Sequence, residues 1–296
     1  MTKNFILIGT FDGVHKGHQH LTNKLKALAK KYEQKSLALY FAYPAKVLQS
    51  VNKEMSVICT PEEKKQLLKA QNIDGVKELK FFAIKNLSRE NFFNLLLTKY
   101  KMGGMLVGRD FAFAKNRSGH LDFLAEKCKQ YDIPFIHEGF VTNSDGKKIS
   151  SSLIRDALNS GHLIKANRML TRPYEISGKV IMGMKLGRKI GFPTANLDPS
   201  IFKIHPKGVY AGKAILDDKT YNAVINIGFR PTINTINKNV PLIEAHLLNF
   251  DKDIYGKVLK LQFLKKIRKE MRFHNLDELK AQIAKDKAKA KAFLDK

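Results

Sequence analysis

The stretch FILIGTFDGVHKGH, Phe5–His18, sets four apolar residues before a turn with glycines at Gly9, Gly13 and Gly17 and histidines at His15 and His18. An apolar run that breaks into glycines and then takes on helical character predicts a strand, a tight turn and a helix start. In an open parallel sheet this strand-to-helix turn lies at the carboxyl edge, where ligands bind. Glycines there let a phosphate come close to the backbone, and the helix N-terminus offers free N–H groups and a positive dipole end. His15 and His18, three apart, share one face of the first turn, so both imidazoles can address one phosphate. Such a set suits attack at an α-phosphate, where charge gathers on phosphorus and no protein nucleophile is needed. Each well-placed donor contributes roughly 2.7–4 kcal/mol. Two other readings stay open at this point: a solvated histidine pair at a helix start, and a metal site with His20 as third ligand, for which no acidic or cysteine partner stands nearby.

Working outward, strand-like runs at Phe5–Ile8, Leu37–Phe41, Val76–Phe81, Met105–Val107 and Ile133–Ile136 alternate with helical stretches. That alternation predicts a parallel sheet flanked by helices, an α/β domain over residues 1–170. The first helix buries Leu21, Leu25, Leu28 and Tyr32, and a second starts at Thr60 with Pro61 and a capping-box Glu63. After LTRPY, Leu170–Tyr174, the pattern changes. Extended segments at Ile176–Ile181, Val209–Leu216, Tyr221–Ile227, Leu242–Leu248 and Val258–Phe263 follow one another without helices, and Asp217–Asp218 closes a hairpin. An antiparallel barrel or sandwich is expected over residues 171–296, ending in a helix capped by Asn275 and presenting Leu279 and Ile283.

The chain has 296 residues and is 44% hydrophobic, enough for two domains with cores of their own. Runs such as FFNLLL, Phe92–Leu97, fall far short of the roughly 20 residues that span a bilayer, and the N-terminus lacks a basic-then-apolar signal. A cytoplasmic protein without a membrane partner is expected. Cys59 and Cys128 lie outside any ligand spacing and read as small buried residues. With 53 Lys+Arg against 27 Asp+Glu the net charge is +26, a field that gathers anions of any size. Lysines rarely interleave with aromatics, so no nucleic-acid partner is expected.

Downstream, KKISSSLIR, Lys147–Arg155, follows the last predicted strand and opens a helix. The hydroxyls of Ser151 and Ser152, together with Arg155, can hold the outer phosphates of a nucleotide, or the serines can simply cap the helix. In GRKIGFPTAN, Gly187–Asn196, Gly187, Arg188 and Gly191 suit a phosphate-facing turn. Thr194 and Asn196 project to one side as neutral oxygen ligands for Mg²⁺ carrying ATP phosphates, the other reading being a proline-initiated loop. In LIEAHLL, Glu244 and His246 share one strand face and Ile243, Ala245 and Leu247 the other. Glu244 is placed for general-base work on a hydroxyl attacking phosphorus, unless it simply faces solvent. No GxxxxGK[ST] occurs.

GTFDGVHKGH with ISSSLIR resembles the HxGH and SSxxIR pair of the nucleotidyltransferase superfamily. VGRDFAFAKNRSG, RPYEISGKV, GRKIGFPTAN, GVYAG, NIGFRPT, IEAHLLNFDKDIYG and IRKEMRF are similar, in order, to the bacterial bifunctional riboflavin kinases/FAD synthetases. The resemblance implies an N-terminal FMN adenylyltransferase of α/β Rossmann-like type and a C-terminal riboflavin kinase, a Greek-key antiparallel β-barrel with a terminal helix, with substrates ATP, riboflavin and FMN. It implies His15 and His18 as catalytic, and Gly9, Phe11, Asp110, Ser151, Ser152, Arg155, Gly187 and Arg188 as nucleotide-binding. Glu244 is implied as the kinase base, Arg268 as flavin-binding, and Thr194 and Asn196 as holding Mg²⁺. FMN brings its own phosphate, so its adenylylation needs cationic and amide stabilisation more than a base. Two departures stand out. FAYPAKVL, Phe41–Leu48, lacks the family's Pro-His-Pro element, and Ala114 replaces a glycine, which costs strain if φ is positive there. They leave an alternative: a riboflavin kinase with weak or absent FAD synthetase activity.

Overall fold

A computed structural model describes residues 2–49, 56–113, 119–200, 202–229 and 241–296. They form two compact units, Met1–Ser151 and Ser152–Lys296.

In the first unit, β1 (Asn4–Gly9), α1 (Lys16–Lys31), β2 (Lys35–Tyr40), α2 (Ala45–Gln49), α3 (Pro61–Lys69), β3 (Gly75–Glu78), α4 (Phe81–Ile84), α5 (Arg89–Thr98), β4 (Met102–Gly108), α6 (Leu121–Gln130) and β5 (Phe135–Glu138) succeed one another. All five strands are parallel, in the order β3-β2-β1-β4-β5. The order reverses between β1 and β4, which makes the carboxyl ends of these two strands the expected ligand crevice. Phe5, Ile6, Leu7 and Ile8 are all buried because both sheet faces are covered. Ile6 and Ile8 join Leu39, Met105, Phe92 and Leu124 on one face, while Phe5 and Leu7 join Leu25, Ala29, Ala38 and Leu68 on the other.

Two local expectations are corrected. The buried stripe of α1 is Thr22, Leu25 and Ala29, with Leu21 and Leu28 on its flanks. Tyr32 is the helix C-cap and is exposed, its ring lying against Phe5 at 5.6 Å. Phe81 does not end a strand, since β3 stops at Glu78 and Phe81 begins α4.

The second unit takes in α7 (Ser151–Asn159, from its second residue), α8 (Leu163–Leu170), β6 (Tyr174–Ile181), α9 (Leu186–Lys189), β7 (Ala195–Pro199), β8 (Gly208–Leu216), β9 (Lys219–Phe229), β10 (Pro241–Leu247), β11 (Val258–Arg268) and α10 (Leu276–Leu294). Six antiparallel strands close into a barrel in the order β10-β7-β6-β11-β8-β9. Its interior holds Ile176, Leu197, Ile225, Ile243, Leu261 and Phe263, all buried. Asn167 ties α8 to the barrel by donating to the Phe263 carbonyl at 2.9 Å and accepting from the Tyr174 N–H at 2.8 Å. Strand β7 was not anticipated, because ANLDP carries the Asn, Asp and Pro that usually mark turns.

Candidate active sites

The turn after β1 adopts a strained path, with Phe11 and Val14 at φ 47° and 39° and Gly13 at φ 83°. It ends at His15, the N-cap of α1, so His18 falls three residues on in the first turn. The two imidazoles stack at 3.7 Å between ring centroids, and the Phe11 ring meets His18 edge-on at 5.3 Å. Burial, reinforced by His15 and Lys64, holds His18 well below the ordinary imidazole value. Such a shift favours the neutral imidazole at this position over a cationic one.

Beneath the histidine turn lies a polar scaffold that sequence reasoning missed. Asp12 Oδ1 accepts from the N–H groups of Ile58 (3.0 Å) and Cys59 (3.3 Å), and the Gly13 N–H donates to Cys59 Sγ at 3.0 Å. Burial and Asp12 push the Cys59 thiol up to about 12. It serves here as a neutral hydrogen-bonding group. A side chain at Gly13 would meet Ile58 Cγ2 at 2.9 Å, so that turn needs glycine for space as well as for φ. Lys64 is fully buried and donates to the carbonyls of Phe41 (2.7 Å) and Ala42 (2.8 Å). Burial lowers its pKa while Cys59 and Asp12 oppose that shift. The segment after β2, where the Pro-His-Pro element is missing, is thus tied to the framework of the histidine turn. Only the four-residue spacing of Lys64 and Leu68, both buried on α3, hinted at this in the sequence.

Ser151 Oγ donates to the Asp12 carbonyl at 2.9 Å, which ties it to the histidine turn. Ser152 and Arg155 stand on the first turns of α7, in the second unit. Asp110 follows β4 at the same sheet edge as the histidine turn, but its exposed carboxylate is engaged by Lys148 at 2.7 Å. His20, the supposed third metal ligand, is bonded to Glu138 at 3.3 Å. Ala114 lies outside the described residues.

In the second unit, strand register assembles the other site. Asn196 on β7 is paired with Glu244 on β10, Glu244 with Asn226 on β9, Asn226 with Val209 on β8, and Val209 with Arg268 on β11. Registered partners share a face, and Ile225, Ile227, Ile243 and Ala245 fill the barrel interior. The polar row therefore lies on the outer wall, where Glu244, Asn226 and Arg268 line a cavity of about 210 Å³ together with Thr194, His246 and the α10 residues Ile283 and Asp286, while Asn196 is buried beside it, next to Gly183. Arg268 Nε donates to both Asp286 oxygens (3.1 and 2.9 Å), and Gln282 Nε2 donates to Oδ1 at 2.8 Å. His246 Nδ1 is 2.8 Å from the Pro193 carbonyl. Burial lowers its pKa; the Pro193 contact works against that shift and Lys287 with it.

Thr194 also borders a second cavity of about 370 Å³, lined by Lys185, Arg188, Phe250 and Tyr255 among others. Gly187 and Arg188 sit in α9, a single helical turn rather than the expected open turn. A side chain at Gly187 would strike the Phe192 carbonyl and come within 3.3 Å of Thr194 Oγ1, so glycine lets this turn close on the threonine. The hydroxyl of Thr194 and the amide of Asn196, the latter in register with Glu244, are hard oxygen donors of the kind a divalent cation otherwise coordinated by phosphate and water accepts. Among the described residues no cluster of three His, Cys, Asp or Glu competes for a metal.

Residues 1–153 match the family model for FAD synthetase and residues 170–294 that for riboflavin kinase. The bifunctional riboflavin kinase/FMN adenylyltransferase of Bacillus subtilis (strain 168) is 36% identical over 97% of this chain and 92% of its own. The chain belongs to the bifunctional riboflavin kinase/FMN adenylyltransferase family. The family protein of Escherichia coli (strain K12) is likewise 36% identical, over 97% of this chain and 92% of its own. A crystal structure from Streptococcus pneumoniae, bearing the name macrolide-efflux protein, superposes with a TM-score of 0.84 at 28% identity, over 97% of this chain and 94% of that one. Among the described residues of this family member, no helix is long and apolar enough to cross a membrane.

Proposed function

We propose that the family's two reactions, phosphorylation of riboflavin to FMN and adenylylation of FMN to FAD, are divided between these two sites, with the row Asn196–Glu244–Asn226–Arg268 on the outer barrel wall as the observation that carries the reading. In the kinase step Glu244 accepts the proton of the riboflavin 5′-hydroxyl as that oxygen bonds to the γ-phosphorus of ATP, and ADP leaves. Thr194 and Asn196 hold Mg²⁺, which when bound offsets phosphate charge. The ATP phosphates lie toward Arg188 and the flavin toward Glu244 and Arg268, Thr194 being common to both cavities. Asp286 keeps Arg268 in place.

In the adenylylation step an FMN phosphate oxygen bonds to the α-phosphorus of a second ATP, the bond to the β-phosphate oxygen breaks and pyrophosphate leaves. No proton needs to be removed. His15, His18 and the N-terminal amides of α1 surround the phosphorus, and the strained turn through Gly9 and Phe11 gives the nucleotide room. Ser151 shapes the turn, and Asp110 is released from Lys148 to the nucleotide. The compact units meet at Ser151–Ser152, the functional boundary is placed near residue 171, and the partners are ATP, riboflavin and FMN. Purified protein given riboflavin, ATP and Mg²⁺ is expected to yield FMN and then FAD. FMN accumulating without FAD would overturn the assignment of the first site.

A further inference from the structure

We infer that His246 is a positioning residue for riboflavin, its Nε2 accepting a hydrogen bond from a secondary hydroxyl of the ribityl chain. The imidazole is 9% exposed and lines the same cavity as Glu244. Its Nδ1 faces the Pro193 carbonyl at 2.8 Å, and a carbonyl can only accept, so Nδ1 carries the proton. In the neutral ring Nε2 is then a bare lone pair. It is buried and has no hydrogen-bond partner among the described residues. A buried acceptor of this kind calls for an O–H or N–H donor from whatever fills the cavity.

Position on the strand narrows the donor. His246 and Glu244 are two residues apart on one face of β10, about 7 Å along the strand. This step rests on the proposed role of Glu244 at the 5′-hydroxyl. With that hydroxyl at Glu244, a carbon further along the ribityl chain brings its own hydroxyl to His246, whereas the isoalloxazine N–H lies beyond the whole chain. The ring is also fixed sideways, because Phe192 packs edge-on against it at 5.8 Å. His246 would thus read the polyol nature of the side chain while the same imidazole holds Pro193, and with it the Thr194 loop, to β10.

The two ring nitrogens can be separated by substitution in the full-length protein. His246→Asn places an amide nitrogen near Nδ1, keeping the Pro193 tether and removing the acceptor. His246→Gln places an amide oxygen near Nε2, keeping the acceptor and removing the tether. Riboflavin affinity, read by quenching of flavin fluorescence with ADP and Mg²⁺ present, is expected to weaken about tenfold in His246→Asn. Its kinase KM should rise with kcat little changed, and His246→Gln, which keeps the acceptor, should bind riboflavin more tightly than His246→Asn. A riboflavin analogue lacking the recognised secondary hydroxyl should bind wild type and His246→Asn equally. Wild-type riboflavin affinity in His246→Asn, or an equal loss for every deoxy analogue, would overturn the inference. The near-UV circular dichroism and the cooperative melting of the barrel unit report whether the variant is folded there. Should His246→Asn not fold, nitrogen-15 NMR of histidine-labelled wild type decides. The Nε2 resonance is expected to move on adding riboflavin with ADP and Mg²⁺, and an unmoved resonance overturns the inference. Failure of the Glu244 assignment is told apart by Glu244→Gln: continued FMN formation there removes the base, while these binding measurements stand or fall without it.

Discussion

Replacing Lys64 by methionine removes a fully buried ammonium that donates to two backbone carbonyls, Phe41 at 2.7 Å and Ala42 at 2.8 Å. Hydrogen bonds from a charged donor contribute about 1.5–3 kcal/mol each, so roughly 3–6 kcal/mol of interaction is lost. Burying the ammonium is itself costly, as its lowered pKa indicates, and its removal returns part of that sum. A net loss of about 2–4 kcal/mol is expected, concentrated where the segment after β2 meets the Asp12–Cys59 scaffold. A shift of about 1 Å in a substrate-bearing segment is enough to slow catalysis by about 10²-fold. The assay measures both reactions on one preparation: FAD from FMN and ATP, and FMN from riboflavin and ATP. FAD formation should fall on the order of 10²-fold while FMN formation stays at the wild-type rate. FAD formation at the wild-type rate, or equal loss of both activities, would refute the reasoning.

Asp286→Ala leaves Arg268 and Gln282 without their acceptor in a nearly closed site. It should cost about 3 kcal/mol and lower the melting midpoint by several degrees, with FMN formation impaired and FAD formation from supplied FMN retained. His205 is pushed down from 6.5 to about 4 by burial and by Lys203. Between these values the unfolded chain takes up a proton that the folded chain refuses, so stability is lost as pH falls and is fully present above 6.5. The integrated loss is up to about 3 kcal/mol, and urea midpoints of His205→Asn should show a correspondingly shallower decline with acid than wild type. Cys59 and Cys128, both pushed up to about 12 by burial, should resist alkylation at about pH 8 in the native protein and react only on unfolding, as mass spectrometry will show.

Local chemistry was legible in the sequence. The Thr60 capping box forms as expected, with Glu63 N–H donating to Thr60 Oγ1 at 3.2 Å and Thr60 N–H to Glu63 Oε2 at 3.0 Å. Asp217 and Asp218 take up the left-handed φ values of 47° and 62° that a tight hairpin requires. The histidine spacing, the strand–turn–helix unit and the alternation of Glu244 with Ile243 and Ala245 are short-range consequences of period and turn chemistry. Long-range register was not legible. Nothing local says that Asn196, Glu244, Asn226 and Arg268 belong to one row, since that depends on how four strands align around a closed barrel. Nor does a lysine in PEEKKQ announce itself as buried: Lys64 is paired with carbonyls from a different strand end, and Cys59 gains its polar role only when the β1 turn folds over it.

The central claim is that two chemically distinct sites each bind ATP and act independently. The most direct measurement is the product profile of His18→Ala and Glu244→Gln, each given riboflavin, ATP and Mg²⁺, then each given FMN in place of riboflavin. His18→Ala should make FMN at the wild-type rate and no FAD from either substrate, while Glu244→Gln should make no FMN from riboflavin yet convert supplied FMN to FAD normally. Loss of both products in either variant, or survival of the reaction assigned to the substituted residue, would contradict the account.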